Sequence, residues 1–383
     1  MRVQHLVYNE TTGWQNERDS RGDADLVIYF GSRQALACGA RYSELSSLFP
    51  RAHILGCSTG GQIIGDEVRD DRVGAVSMQF AATKLRLARE TVAGPLDSRR
   101  CGEAIGHSLI TDDLAGVFVL SDGLNVNGSE LVRGITSVIG NKIPLTGGLA
   151  GDGAQFGETL VGGDCAPVSR MIAAVGFYGT AVQFGHGSAG GWDVFGPRRT
   201  VTSSAGNVLY KLDNETALDL YERYLGEEES KGLPGTALLF PLQIHDREQP
   251  DHGIVRTVLS IDRDARSMTF AGDVPQGCVA QLMRGNFDRL AAGAADAAKQ
   301  AHGGIAAGEA GDAVAILVSC IGRRLLMGQR VIDEVEAAAH ALGPRFVNLG
   351  FYSYGEISPH AASGSCELHN QTMTVTAITE CVG

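Results

Sequence analysis

The sequence predicts an α/β protein of two linked halves, built from repeated βαβ units with antiparallel hairpin returns. Three observations carry that expectation. Three segments far apart in the chain share one plan: a short apolar run ending in small residues, a stretch of helical period, then a second apolar run rich in glycine at its end. The apolar runs are short and continuous, as in strands buried on both faces, and the helical stretches are long enough to carry a parallel crossover. Glycine is abundant, 51 of 383 residues, and collects at the ends of the apolar runs instead of forming linkers. That placement marks tight turns and close backbone approaches.

Residues 1–24 precede the first copy and read as an N-terminal segment. The first copy opens with "DLVIYFGS" (25–32), continues through an Ala/Leu-rich helical stretch to about Leu48, and closes with "AHILGCSTGGQI" (52–63). The second is "GVFVLSDGLN" (116–125), "SELVRGITSVIG" (129–140) and "IPLTGGLAGDG" (143–153). The third is "AVAILVSCIGR" (313–323), "RVIDEVEAAAHALG" (330–343) and "FVNLGFYSYGEI" (346–357). Each copy then turns back into another strand-like run: "RVGAVSMQF", "SRMIAAVGFYG" and "TMTVTAITE".

A different texture lies between the second and third copies. "RRTVTSSAGNVLYKLDNETALDLYERYLG" (198–226) reads as a strand, a polar turn at Leu212-Asp213-Asn214, and a helix with Ala217, Leu218, Leu220, Tyr221, Tyr224 and Leu225 on one face. "GEEESKGLPG" (226–235) is charged, then rich in glycine and proline, and is the expected boundary between halves 25–225 and 226–383. Short strands follow in "ALLFPLQI", "GIVRTVLSID" and "SMTFAGDVPQG".

Composition excludes some classes of function. A net charge of −12, with no basic cluster longer than Arg198-Arg199 or Arg323-Arg324, argues against nucleic acid and anionic membrane surfaces. No stretch approaches the apolar length of a membrane-spanning helix. The opening "MRVQHLVYNE" lacks the apolar run of a secretory signal. The eight cysteines include no C-x-x-C pair, so reduced thiols and a cytoplasmic location are the expectation.

Two motifs fail in their contexts. Gly56-Cys57-Ser58-Thr59-Gly60 spells the G-x-S-x-G nucleophile elbow, which would make Ser58 the nucleophile of a hydrolase. An elbow needs a helix after the serine, and "GQIIGDEVRDD" is a poor one; His186, His245, His252 and His360 are the available bases. Gly185 to Gly190 satisfies G-x-G-x-x-G, but "GGWDVFGPRR" follows, and no helix starts there to hold a pyrophosphate.

Other residues gather at the glycine-rich strand ends. Gly61-Gln62, Gly151-Asp152 and Gly355-Glu356 each place a polar side chain directly after a glycine, and three such ends could converge on one cavity. Cys57 and Cys320 are candidate ligand contacts or small buried hydrophobes. Arg323 is a candidate anion binder or a salt-bridge partner of Glu356 or Asp152. Tyr352 and Tyr354 share a strand face and could line a pocket; His369 and Asn370 lie in "ELHNQT" near that hairpin.

Taken together, "ILGCSTGGQI", "GGLAGDG", "VLYKLDNETALDLYERYLG", "LVSCIGR", "GFYSYGEISP" and "LHNQTMTV", in that order, resemble the FIST family of paired FIST N and FIST C sensory domains. The resemblance runs from about Asp25 to Glu380. It implies a cytoplasmic small-molecule sensor that signals to a separate partner, such as a histidine kinase or a cyclic-dinucleotide enzyme. Amino acids or small anions are ligands it implies. Some stand-alone members are haem-binding nitric oxide sensors, which would make haem b a cofactor and His360 its ligand, with His369 and His245 as alternatives. The expected site comprises Cys57, Ser58, Thr59, Gly60, Gly61, Gly148, Asp152, Arg323, Tyr352, Tyr354, Glu356 and His369, with no catalytic residue. The hydrolase with Ser58 remains the alternative.

Overall fold

The computed structural model describes residues 1–16, 23–250, 253–305, 311–360 and 364–381. The βαβ plan occurs three times. Leu26–Gly31 runs parallel to His53–Ser58 across the helix Ala40–Leu48. Leu114–Ser121 runs parallel to Leu145–Leu149 across Gly128–Ile139, and Ala313–Cys320 parallel to Phe346–Ser353 across Val331–Leu342. The returns Val73–Gln79, Met171–Tyr178 and Met373–Glu380 each pair antiparallel with the first strand of their own repeat. A further strand beyond each return belongs to no expected unit: Arg2–Asn9, Lys84–Thr91 and Val182–Ala189. The N-terminal segment thus contributes a strand to the first repeat's sheet.

The repeats close on one another in a cycle. After its second long strand, each sends a short strand into another repeat's sheet. Gln62–Ile64 of the first pairs with Phe346–Ser353 of the third, Gly355–Pro359 of the third with Leu145–Leu149 of the second, and Val161–Gly163 of the second with His53–Ser58 of the first. Backbone hydrogen bonds seal the ring. The Gly60 N–H donates to the Tyr352 carbonyl at 2.7 Å, Tyr354 to Leu149 at 3.2 Å, and Gly151 to Ser58 at 3.0 Å.

Strand alternation explains how three sheets share one centre. Leu26, Ile28 and Phe30, then Phe118 and Leu120, then Val314, Ile316 and Val318 face inward into a common core. Their alternates, such as Val27 and Tyr29, Val117 and Val119, and Ala315 and Leu317, pack beneath the outer helices. At the closing end, register makes Cys57, Gly148 and Phe351 equivalent inward positions. The Phe351 ring lies 4.5 Å from that of Phe30. A Cβ on Gly148 would sit 2.8 Å from Val318 Cγ1 and 3.3 Å from Phe351 Cζ, so glycine there makes room for the ring.

The third repeat carries an insert. Between Val182–Ala189 and the helix Phe287–Gly303, strands from Asp193 to Arg284 form a nine-stranded sheet. It has its own core, including Leu209, Leu218, Tyr221, Met268 and Phe270. The expected boundary falls between the helices Ala217–Leu225 and Glu227–Lys231, inside this insert. Segments on both sides of it build the one sheet, as where Arg199–Ala205 pairs with Val279–Arg284.

Candidate functional site

A cavity of about 690 Å³ opens where strand ends of the second and third repeats face the insert. Ligands of open α/β sheets sit in this position, beyond the carboxyl ends of strands. The second repeat contributes Gly123 and Leu124, the third Cys320, Leu325 and Tyr354, and the insert Thr257 and Phe270, among others.

Buried polar groups shape these walls. Asp122 folds the loop after its strand: Oδ1 accepts the N–H groups of Leu124 and Asn125 at 2.8 and 2.7 Å, and Oδ2 accepts that of Arg170 at 2.7 Å. The next residue must be glycine, because a Cβ on Gly123 would lie 2.0 Å from the Ala150 carbonyl oxygen. The Tyr354 hydroxyl donates to Asp152 and, at 2.9 Å, contacts the Gly153 carbonyl, while its ring stacks on Phe156 at 4.7 Å. Burial opposes ionisation of Asp152. The hydrogen bonds from Tyr354 and from the Glu158 and Gly157 backbone outweigh it and hold the acid below its usual range.

Of the expected site residues, Tyr354 alone lines this cavity. Residues Cys57 to Gly61 instead lie at the seam of the three repeats. Cys57 belongs to the central core. Ser58 Oγ accepts the Leu160 N–H at 2.9 Å, and the chain continues into the strand Gln62–Ile64, not a helix, so the elbow geometry is absent. Among the four candidate bases, His252 lies outside the described residues.

The three polar side chains at glycine turns do not form a trio. Gln62 lies opposite Phe351 and Glu356 opposite Gly148; the equivalent position, opposite Cys57, is Val161. The second repeat has a longer loop before its crossing strand, and Asp152 lies within that loop. Gln62 and Glu356 also bond alike, to Thr59 at 2.6 Å and Ser353 at 2.7 Å, each three residues earlier. Burial pushes the Glu356 carboxyl up to about 8, against the hydrogen bonds from Ser353 and Thr372.

Arg323 is fully buried, and its donors are engaged within the protein. Nε and Nη2 reach Glu334 at 2.8 and 2.7 Å, Nη1 reaches the Gly190 and Gln371 carbonyls, and Nη2 the Leu290 carbonyl. Its ionic partner is therefore Glu334, not Glu356 or Asp152. The hydroxyls of Tyr352 and Ser319 each donate to the other Glu334 oxygen at 2.9 Å. Sequence inspection overlooked Glu334 because it sits on the crossover helix with no motif around it.

The described histidines do not line the cavity. His369 Nε2 faces the Ser358 carbonyl at 3.0 Å, His360 Nε2 faces that of Gly253 at 3.3 Å, and the two rings stack at 5.9 Å. No histidine is among the described residues lining the cavity. Its cysteine, Cys320, is pushed up by burial and by the nearby Glu356, so it offers a thiol and not a thiolate. These residues do not fit a haem there.

Two wall residues carry polar atoms for which the described residues supply no partner. Neither carboxamide atom of Asn370 is hydrogen-bonded, nor is Thr257 Oγ1, and all three are buried. Asn370 stood in plain view beside His369 in "ELHNQT", but only tertiary structure shows that its amide is unpaired.

The chain matches the FIST N domain over residues 25–215 and the FIST C domain over residues 217–359. It belongs to the FIST family. FIST domains are small-ligand sensor domains. In this FIST protein the two domains meet inside the insert, and no helix among the described residues is long and apolar enough to cross a membrane. No curated protein matches the chain. A crystal structure of cyanuric acid hydrolase from A. caulinodans is 13% identical, covering 78% of this chain and 100% of that one, at a TM-score of 0.20. So loose a superposition carries no argument.

Proposed function

We propose that this FIST protein is a sensor whose small organic ligand occupies the cavity between the repeats and the insert. Occupancy is reported to a separate signalling protein, of the histidine kinase or cyclic-dinucleotide enzyme kind. The observation that carries this reading is a cavity whose wall buries polar atoms that find no partner among the described residues. Buried polar atoms are almost always paired, and a guest in this cavity would supply the partners that these three lack. The walls also come from two bodies with separate cores. A ligand touching both favours whichever relative arrangement it binds best, which is how binding becomes a signal.

The test uses Nile red, an uncharged dye that brightens in apolar surroundings. It is expected to bind saturably, one molecule per chain. Ala271→Trp, which fills the wall, should abolish that binding, and Leu325→Trp, at the rim where Leu325 is 42% exposed, should weaken it. Circular dichroism should match wild type in both variants. Undiminished dye binding by both would remove the cavity from this reading.

A further inference from the structure

We infer that the ligand is an uncharged molecule with an apolar body and one amide edge, an N–H beside a C=O, which pairs with the side-chain amide of Asn370. The inference rests on the cavity being the ligand site and adds the chemistry of the ligand.

Charge is settled by the lining. No Lys, Arg, Asp, Glu or His is among the described residues that face the cavity. Charged groups behind the wall are already engaged. Asp122 accepts three backbone N–H groups, and Arg256 donates from Nε to the Asp273 carbonyl and from Nη1 to that of Leu368, both at 3.0 Å. A zwitterion or an anion would bury its charge here without a counter-ion, which is strongly unfavourable.

The amide edge follows from which polar atoms the protein leaves unpaired. The other amide and hydroxyl side chains of the lining each make a hydrogen bond within the protein. Asn127 caps a helix by accepting the Glu130 N–H at 3.2 Å, Asn207 donates to the Phe270 carbonyl at 2.7 Å, and Tyr354 is held by Asp152. Asn370, with no exposed surface, keeps both a donor and an acceptor unused, and Thr257 Oγ1 adds a third unpaired atom. A primary carboxamide presents N–H and C=O side by side, and its complement is another amide with the same two groups adjacent. The turn that holds it is fixed in an uncommon shape. Gln371 has φ +60, and its carbonyl is clamped by Trp192 Nε1 at 2.7 Å and by Arg323. Strain of this kind, held in place by its surroundings, gathers at ligand sites.

The test is competition with bound Nile red by three matched probes: a phenyl-substituted δ-lactam, its N-methyl derivative, and the ring-opened amino acid. In wild type the lactam should displace the dye. The N-methyl compound should be about 10- to 100-fold weaker, because it leaves a buried acceptor unpaired. The amino acid should not compete. Asn370→Leu should still bind Nile red, should no longer distinguish the lactam from its N-methyl derivative, and should melt no lower than wild type when free of ligand. The inference is overturned if the lactam fails to displace bound dye, if the amino acid competes equally, or if Asn370→Leu keeps the discrimination. In each of those outcomes the cavity stands as a site, because the dye is bound; absence of dye binding to wild type would sink the cavity itself.

Discussion

Glu334→Ala is expected to lower the stability of the folded protein by about 3–5 kcal/mol, the range for removing one partner of a buried ion pair. The carboxylate has no exposed surface and serves three donors: Arg323, Ser319 and Tyr352. Its loss leaves a guanidinium uncompensated in the interior and two hydroxyls without their acceptor. Against a typical total of about 5–15 kcal/mol, that is a large fraction. Urea unfolding of the single variant and of Arg323→Met/Glu334→Leu reads the effect. The double variant should recover much of the loss, since an apolar pair leaves no buried charge behind. Nile red affinity per folded molecule should not change in either, because neither residue lines the cavity. A single variant within about 1 kcal/mol of wild type would show that water reaches the pair.

Glu356→Gln is expected to stabilise the protein at neutral pH. The acid is raised from 4.5 to about 8 on folding, chiefly by burial. Below pH 4.5 both states hold the proton and the group has no differential effect. Between 4.5 and about 8 the folded state binds a proton that the unfolded state has released, so stability falls as pH rises. By pH 7 the penalty is about 3 kcal/mol, at 1.36 kcal/mol per unit. Glutamine mimics the protonated acid toward Ser353 and Thr372 and does not titrate. The variant's advantage should therefore be near zero at pH 4 and grow to about 3 kcal/mol at pH 7 and about 4 kcal/mol at pH 8. Glu380 does not confuse the comparison. There burial is outweighed by the Ala81, Ala82 and Thr83 donors, which hold it at about 2, so its contribution changes only below pH 4.5. Parallel wild-type and variant profiles from pH 5 to 8 would show that Glu356 is ionised in the fold.

The three βαβ units were legible because their signals are local. A continuous apolar run, a helical period and a terminal glycine each occupy a short window. The outer strands were not legible for the opposite reason. Lys84–Thr91 shows burial only at Ala88, and Arg2–Asn9 only at Val3 and Leu6, so their polar alternation reads as surface. The crossing strands are shorter still, and Gln62–Ile64 finds its partner almost three hundred residues away. Such pairing leaves little trace in a short window. The candidate site suffered from a related ambiguity. Glycine-rich strand ends look alike whether they admit a ligand or lock sheets together, and residues Cys57 to Gly61 do the second. Arg323 reads in sequence as an anion binder or a partner of Glu356 or Asp152, and its actual partner was missed because Glu334 lies on the helix after the next turn. Tyr354, which lines the cavity, stood out because aromatic pairs on one strand face are uncommon in this composition.

The exchange of crossing strands makes the repeats mutually dependent. No repeat contains its own complete sheet, so each relies on another for a strand. Removal of the third would strip a neighbour from Leu145–Leu149 and leave Gln62–Ile64 paired only with the short strand Glu67–Arg69, exposing strand edges on both survivors. The frame must form and fail as one unit, and its last contacts join residues far apart in the chain, which favours slow, cooperative assembly. The insert stands outside that constraint. Its own core lets its loops change while the frame stays intact.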